Sequence, residues 1–283
     1  MKCSLRFRSV LFAVPSLVAL AILGMGWSGA AQANIIAYWP MNAGTGTAAS
    51  DLSGNGNNGT LTAISGGGVP TWSTGHTGLA GDYAVNVAVG GDIVVPDATS
   101  LHITNTWTVA GWLNDAGSNY GHLFSAGADS THRTWLLQDS SYGGDSDYFW
   151  SDTGNTGFKK SLSYVTPLNG WHHLAVTYDG ANLRTYGDGV LKSTKAQTGS
   201  LAAWGTLHLG AAANNSGSLG SQINGSIDDL IILNNTASAS DVTAIMNGTY
   251  AGMAVPEPST FALLGIGAMG LIGYALRKRK QAA

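Results

Sequence analysis

The chain has 283 residues, a net charge of −3, forty glycines and a single cysteine. Between residues 34 and 254 six Lys and Arg meet fifteen Asp, a balance near −9 with neutral histidines, and an acidic surface with no basic patch excludes nucleic acid as a partner. Cys3 and the only glutamate, Glu257, lie near the two ends, so the middle of the chain has no disulfide, no thiol nucleophile and no glutamate for the paired-carboxylate chemistry of glycan-cleaving enzymes.

The amino end reads as a secretory signal peptide. Lys2, Arg6 and Arg8 precede an apolar run from Val10 to Met25, and Ala31-Gln32-Ala33 is a small-residue cleavage site. This order predicts removal of residues 1–33, with cleavage between Ala33 and Asn34. A strand opens at Asn34–Trp39. After it comes Ser50–Ala63, which contains Gly54-x-Gly56-x-x-Gly59, the spacing of a dinucleotide-binding turn. That motif needs a strand before it and a helix after it. Here Thr60-Leu-Thr-Ala63 follows and reads as a strand. The glycines are therefore assigned to positive-φ positions of a tight loop, with Asp51 and Ser53 placed to bond its own amides.

Further strands are expected at Asp92–Val95, closed by Pro96, and at Thr106–Leu113, where large and small residues alternate with period two. Trp171–Tyr178, Asn182–Tyr186 and Val190–Thr194 are separated by Asp179-Gly180 and Gly187-Asp-Gly189 and read as a three-strand meander. Ser226–Leu233 is a late apolar strand. One helix is expected after Ser238, whose Ser-x-x-Asp spacing is box-like, ending at Gly248. Short strands joined by turns, without alternating helices, define an all-β antiparallel β-sandwich.

The segments "AYWPMNAGTGTAASDLSGNGNNGTL", "VPDATSLHITNTWTVAGWL", "GWHHLAVTYDGANLRTYGDGVLKST" and "GSIDDLIILNNTASASDVTAIMNG" fall in the order of the landmark blocks of the laminin-G-like, concanavalin-A-like jelly-roll family, which residues 34–254 resemble. The resemblance implies a jelly roll. It also implies a structural Ca2+ where the first and last strands meet, with Asn42, Asp92 and Asp228, and Asp229 beside them, as the oxygen ligands. The chain departs from the pattern in carrying Asn42-Ala43 where relatives often have an acidic pair, and Val85–Val89 where they have Phe-Asp-Gly.

Sugars stack on exposed aromatic rings and bond to nearby carboxylates and amides. Trp107, Trp112 and Trp171 lie in alternating strands and are assigned to the core. Tyr120, Tyr142, Tyr148, Trp150 and Trp204 lie in or beside Gly/Ser/Asp-rich stretches, the densest being Asp139–Trp150. The expected ligand-binding residues are Tyr120, Tyr142, Asp145, Asp147 and Trp150. Asp145 and Asp147 would share a strand face, but no glycanase or nucleophile-elbow motif accompanies them, and no catalytic residue is assigned. His172 and His173 are adjacent in a strand and point to opposite faces, so they cannot share a metal.

At the carboxyl end, Val255-Pro256-Glu257-Pro258-Ser259 precedes an apolar run from Thr260 to Leu276 and the basic cluster Arg277–Lys280. The run is near the lower limit for one membrane-spanning helix, and the cluster should stay cytoplasmic. Residues 255–283 resemble the PEP-CTERM sorting signal, with Pro256, Glu257 and Pro258 as its motif. That resemblance implies an exosortase-type membrane protease as partner, passage through the inner membrane of a Gram-negative bacterium, and delivery to the cell surface or extracellular matrix. The sequence as a whole reads as an exported, non-catalytic binding protein for extracellular polysaccharide. A structural or adhesion protein binding other surface proteins is the alternative, and an Asp-based glycan-degrading enzyme stands behind both.

Overall fold

The computed structural model describes residues 35–250 apart from 65, 89, 104, 118–120, 130–131, 140–145, 152–158, 165–168, 200–203, 214–218 and 221. The expected signal peptide and membrane span lie outside these residues, and so do Ala33, Asn34, Pro256, Glu257 and Pro258.

Two antiparallel sheets face each other. With strands numbered in chain order, the first sheet runs β14 (Val190–Ala196), β13 (Asn182–Gly187), β12 (Trp171–Tyr178), β7 (Trp107–Asp115), β18 (Gly225–Leu233), β5 (Tyr83–Asn86) and β4 (Thr71–Thr74), and β1 (Ile35–Trp39) also pairs with β18. The second runs β11 (Lys159–Tyr164), β10 (Ser146–Ser151), β9 (His132–Asp139), β8 (Gly121–Asp129), β15 (Leu207–Leu209), β6 (Gly91–Val95), β3 (Gly59–Ala63) and β2 (Ala48–Ala49). A two-strand hairpin, β16 (Ala212–Ala213) with β17 (Leu219–Gly220), stands apart. The helix α1 (Ala239–Met246) starts at a Ser238–Asp241 capping box, as the spacing predicts.

Alternation along the strands divides the side chains between two cores. Val109, Leu113, Leu174, Val176, Ile227, Leu230 and Ile232 of the first sheet meet Leu61, Ile93, Val95, Phe124, Leu207 and Leu209 of the second. Trp39, Trp107 and Trp204 are fully buried among them. The other face of the first sheet, carrying Tyr38, Ala110, Ala175, Ile231 and Leu233, is covered by Val242 and Ile245 of α1. Both faces of that sheet are buried over this stretch, as a sandwich with a packed helix requires.

The glycine loop binds strand β1 rather than a nucleotide. β1 has a partner strand, β18, along one edge. Along the other, Asp51 accepts the Tyr38 N–H at 3.0 Å, while the amides of Asn55 and Asn57 donate to the Ile36 carbonyl at 3.0 and 2.8 Å. The Asp51 carboxylate also accepts the backbone N–H of Ser53 and of Asn57, both at 2.8 Å. Gly54 and Gly56 adopt φ of 90° and 77°, which only glycine enters freely. The loop thus satisfies backbone groups that an open strand edge would leave unpaired.

Candidate functional site

β18 changes partner midway. Ser226 and Ile227 pair with β5, whereas Leu230 onward pair with β1. At the seam the register with β7 shifts between Asp228 and Ile231, and Asp229 takes a φ of 45°. The bulge leaves Asp228 and Asp229 at a gap in the ladder, on the outer face of the first sheet. The β4–β5 loop fills that gap. Its His76 donates its backbone N–H to Asp228 Oδ2 at 2.9 Å, and its ring Nδ1 lies 2.9 Å from the same oxygen and 3.7 Å from Asp229. Asp228 Oδ1 accepts the Asp229 N–H at 2.8 Å, and the Tyr38 hydroxyl donates to Asp229 Oδ1 at 2.9 Å.

Aromatic rings frame the cluster. The His76 imidazole stacks on Trp112 with centroids 4.4 Å apart, and Trp171 meets it edge-on at 6.4 Å. Trp112 takes the edge of His173 on another side. Trp112 and Trp171 are therefore half-buried on the outer face and not members of the inner core, a correction to the sequence reading. Trp204, beside a Gly/Ser-rich stretch in the sequence, is fully buried, as large aromatics mostly are. His172 and His173 do part company: His172 Nδ1 lies 3.0 Å from Asp188, while His173 is buried.

The electrostatics follow from three carboxylates close to one imidazole. Burial, then the Asp228 charge, pushes Asp229 up to about 6. Burial also raises Asp228, against the hydrogen bonds from His76. For His76 burial pulls downward, but the hydrogen bond and charge of Asp228 prevail and the net direction is up. Burial drives His173 down to about 4, so it is neutral beside Trp112. Burial and then Asp229 hold the Tyr38 phenol above its ordinary range.

A carboxyl with a raised folded-state pKa opposes folding as it ionises. For Asp229 this penalty is absent below the unfolded value near 4 and complete above about 6. Asp229→Asn removes it and also suits the left-handed backbone. The variant is expected to gain about 2 kcal/mol, or roughly 5 °C in melting temperature, at pH 8. The gain should fade as pH falls through 6. Thermal melts of both proteins from pH 4 to 8 check it, and a pH-independent gain would show that backbone relief alone is at work.

The three calcium candidates do not form one site. Asp92 lies on the outer face of the second sheet, bonded to His208 at 2.6 Å. Asn42 spends its Oδ1 on the Tyr83 N–H at 2.8 Å, and Asp228 faces His76. What the fold gathers instead is His76, Asp82 and Asp228, with one ligand atom of each within 4.8 Å of the others. An imidazole with two carboxylates does not fit calcium, which takes six to eight hard oxygens. Sequence reasoning passed over His76 and Asp82 because their loop carries no ligand spacing.

Of the expected glycan residues, Tyr120, Tyr142 and Asp145 lie outside the described residues. Asp147 and Trp150 fall in β10, at register positions opposite Gln138 and Trp135 of β9. A cleft absent from the sequence reading opens elsewhere. It has a volume of about 220 Å³ and is lined by Pro40, Met41, Asn42, Ser50, Leu52 and Trp72. The Trp72 indole N–H donates to the Gly46 carbonyl at 2.8 Å, which fixes the ring in the wall.

Two facing antiparallel sheets with a helix packed on the outer face of one define a jelly-roll sandwich. Residues 86–243 match the profile described as the concanavalin A-like lectin/glucanases superfamily, and the chain belongs to that family. Residues 254–280 match the PEP-CTERM protein-sorting motif, which marks the chain for export and exosortase-dependent sorting. Among solved structures, the chain is similar to domain 4 of AbnA, a GH43 extracellular arabinanase from Geobacillus stearothermophilus in complex with arabinotriose. The TM-score is 0.61 at 22% identity, covering 76% of this chain and 99% of that one. It is also similar to the binding domain of Paraclostridial Mosquitocidal Protein 1, with TM-score 0.58 at 13% identity over 77% of this chain and 55% of that one. The botulinum neurotoxin serotype G binding domain follows, with TM-score 0.55 at 14% identity over 75% of this chain and 50% of that one. The chain thus spans about half the length of the toxin domains. No curated protein matches it in sequence.

Proposed function

We propose that the protein is an exported, non-catalytic carbohydrate-binding protein that holds extracellular polysaccharide at the cell surface or in the matrix. The observation that carries this reading is the Trp72 cleft. Its walls are apolar, its polar groups are the uncharged Asn42 and Ser50, and its volume suits a single sugar ring. A neutral, hydroxylated ligand with apolar ring faces matches that lining, whereas a charged one does not. The likeness over the full length of a domain seen with arabinotriose supports the same ligand class. The partners are then an exosortase-type membrane protease during sorting, and polysaccharide afterwards.

The test is affinity electrophoresis of the full chain, purified in mild detergent, through the producing strain's own soluble polysaccharide. The unsubstituted protein should be retarded equally in calcium and in EDTA. Trp72→Ala should weaken the interaction about tenfold, the scale of one lost aromatic face. An unretarded protein would favour the structural or adhesion reading, in which other surface proteins are the partners. Removing residues 256–283 should release the protein to the medium, and a truncated form that stays cell-bound would refute the sorting role.

A further inference from the structure

We propose that His76, Asp82 and Asp228 bind a divalent cation of the zinc class, and that the bound metal clamps the β4–β5 loop to the seam in β18. This inference is independent of the carbohydrate reading, since none of the residues lining the Trp72 cleft is a ligand.

The seam is short of positive charge. Three carboxylates, Asp82, Asp228 and Asp229, act on one imidazole. Among the described residues, the ion pairs that Asp228 and Asp229 make are both with His76. Asp228 has no exposed surface, and buried carboxylates in native proteins are either fully paired or held to a metal. A single imidazole offsets at most one of these charges. A divalent cation offsets two and leaves His76 as a neutral ligand.

The ligand side chains are already held in place. Trp112 stacks on the His76 ring with 14° between the planes, and the ring Nδ1 lies 2.9 Å from Asp228 Oδ2. Asp228 is oriented by the backbone N–H groups of His76 and Asp229. Asp82 accepts the Thr77 N–H at 2.9 Å and the Thr77 hydroxyl at 2.5 Å. Gly75 makes room for it, since a methyl group there would lie 2.5 Å from the Asp82 carboxyl carbon. The loop is thus built around this side chain, and supporting bonds of this kind are how metal sites fix their ligands.

The donor set selects the metal. One imidazole and two carboxylates suit zinc and its first-row neighbours, and three protein ligands leave a fourth tetrahedral position for water. The three ligand atoms lie within 4.8 Å of one another. Ligands around a tetrahedral zinc stand roughly 3.3 Å apart, so the loop tightens slightly on binding. His76 and Asp82 are half-buried and give the ion a path to the buried Asp228 from the loop side. The consequence is a staple between elements 152 positions apart. Residues 34–254 contain no cysteine, so no disulfide can do the same.

The experiment titrates zinc, cobalt and calcium into the untagged full chain, purified in mild detergent and stripped of metal. One zinc should bind per chain, calcium should not displace it, and cobalt should give the visible absorption of a tetrahedral site. With free zinc about a hundredfold above its Kd, the melting temperature should rise by roughly 5–10 °C. His76→Ala and Asp82→Asn change an exposed loop, and each should weaken zinc binding about a hundredfold or more. His102→Ala, which breaks the separate His102–Asp97 pair, should leave it unchanged. Amide exchange at residues 76–82 should slow with zinc in the unsubstituted chain and not in the two loop variants. Zinc binding that survives His76→Ala, or falls equally in His102→Ala, places the metal elsewhere and overturns the site. So does a folded, unsubstituted chain that takes up no stoichiometric zinc. Retardation in polysaccharide is read separately, so neither failure touches the Trp72 cleft.

Discussion

Replacing Gly225 by alanine is expected to destabilise the domain by about 3–5 kcal/mol, enough to consume much of a typical folding free energy. A methyl group at this position would lie 1.8 Å from the Asn114 carbonyl oxygen and 2.9 Å from its carbon. These are backbone atoms of β7, with no rotamer to relieve the overlap. Gly225 opens β18 opposite Asp115, and its own carbonyl accepts the Val87 N–H at 2.9 Å. The strand must therefore move away from β7 in the middle of the first sheet, or surrender its pairing. Gly54→Ala is the matched control. Its added carbon meets nothing within 4 Å, and its cost is only the positive φ of 90°, about 1 kcal/mol. Urea unfolding of the two variants should separate them clearly, and equal midpoints would show that β18 yields more freely than its packing suggests.

Asp51→Ala should cost about 2–4 kcal/mol, because one carboxylate serves three backbone N–H groups, those of Tyr38, Ser53 and Asn57. The loss does not stop at the loop. Asn57 would lose the anchor for an amide that reaches the Ile36 carbonyl and for a carbonyl that accepts the Trp39 indole N–H at 2.8 Å. The free edge of β1 would open, and with it the burial of Trp39. Hydrogen exchange at Tyr38 should accelerate in the variant more than exchange in β12, which is remote from the loop. Uniform acceleration would mean that Asp51 acts through global stability alone.

Much of the fold was legible from residue patterns. Trp171–Tyr178 was bounded by a turn and alternation, and it forms the strand so predicted. Ser238 and Asp241 announced the helix start because a capping box is a local hydrogen-bond arrangement that sequence spacing encodes directly. The site was less legible, for a physical reason. Alternation gives the parity of a side chain but not what covers each face of its sheet. Trp112 has the parity of a strand residue whichever way it points, and only the β4–β5 loop shows that its face is taken by His76. His76, Asp82 and Asp228 meet across 152 positions of sequence, at a seam created by a change of partner strand. Trp72 was silent for a similar reason: a single tryptophan in a short edge strand resembles any core aromatic until the cleft beside it is seen.

The pairing of the first strand with the last sets a timetable for the protein's birth. Ile35 lies opposite Leu233, so β1 finds its ladder only after roughly 200 further residues have been threaded. A chain delivered across a membrane amino end first must hold that strand in waiting until nearly all of the domain has arrived. Such long-range closure is slow. It ties the completion of the domain to the emergence of the segment that adjoins the sorting signal.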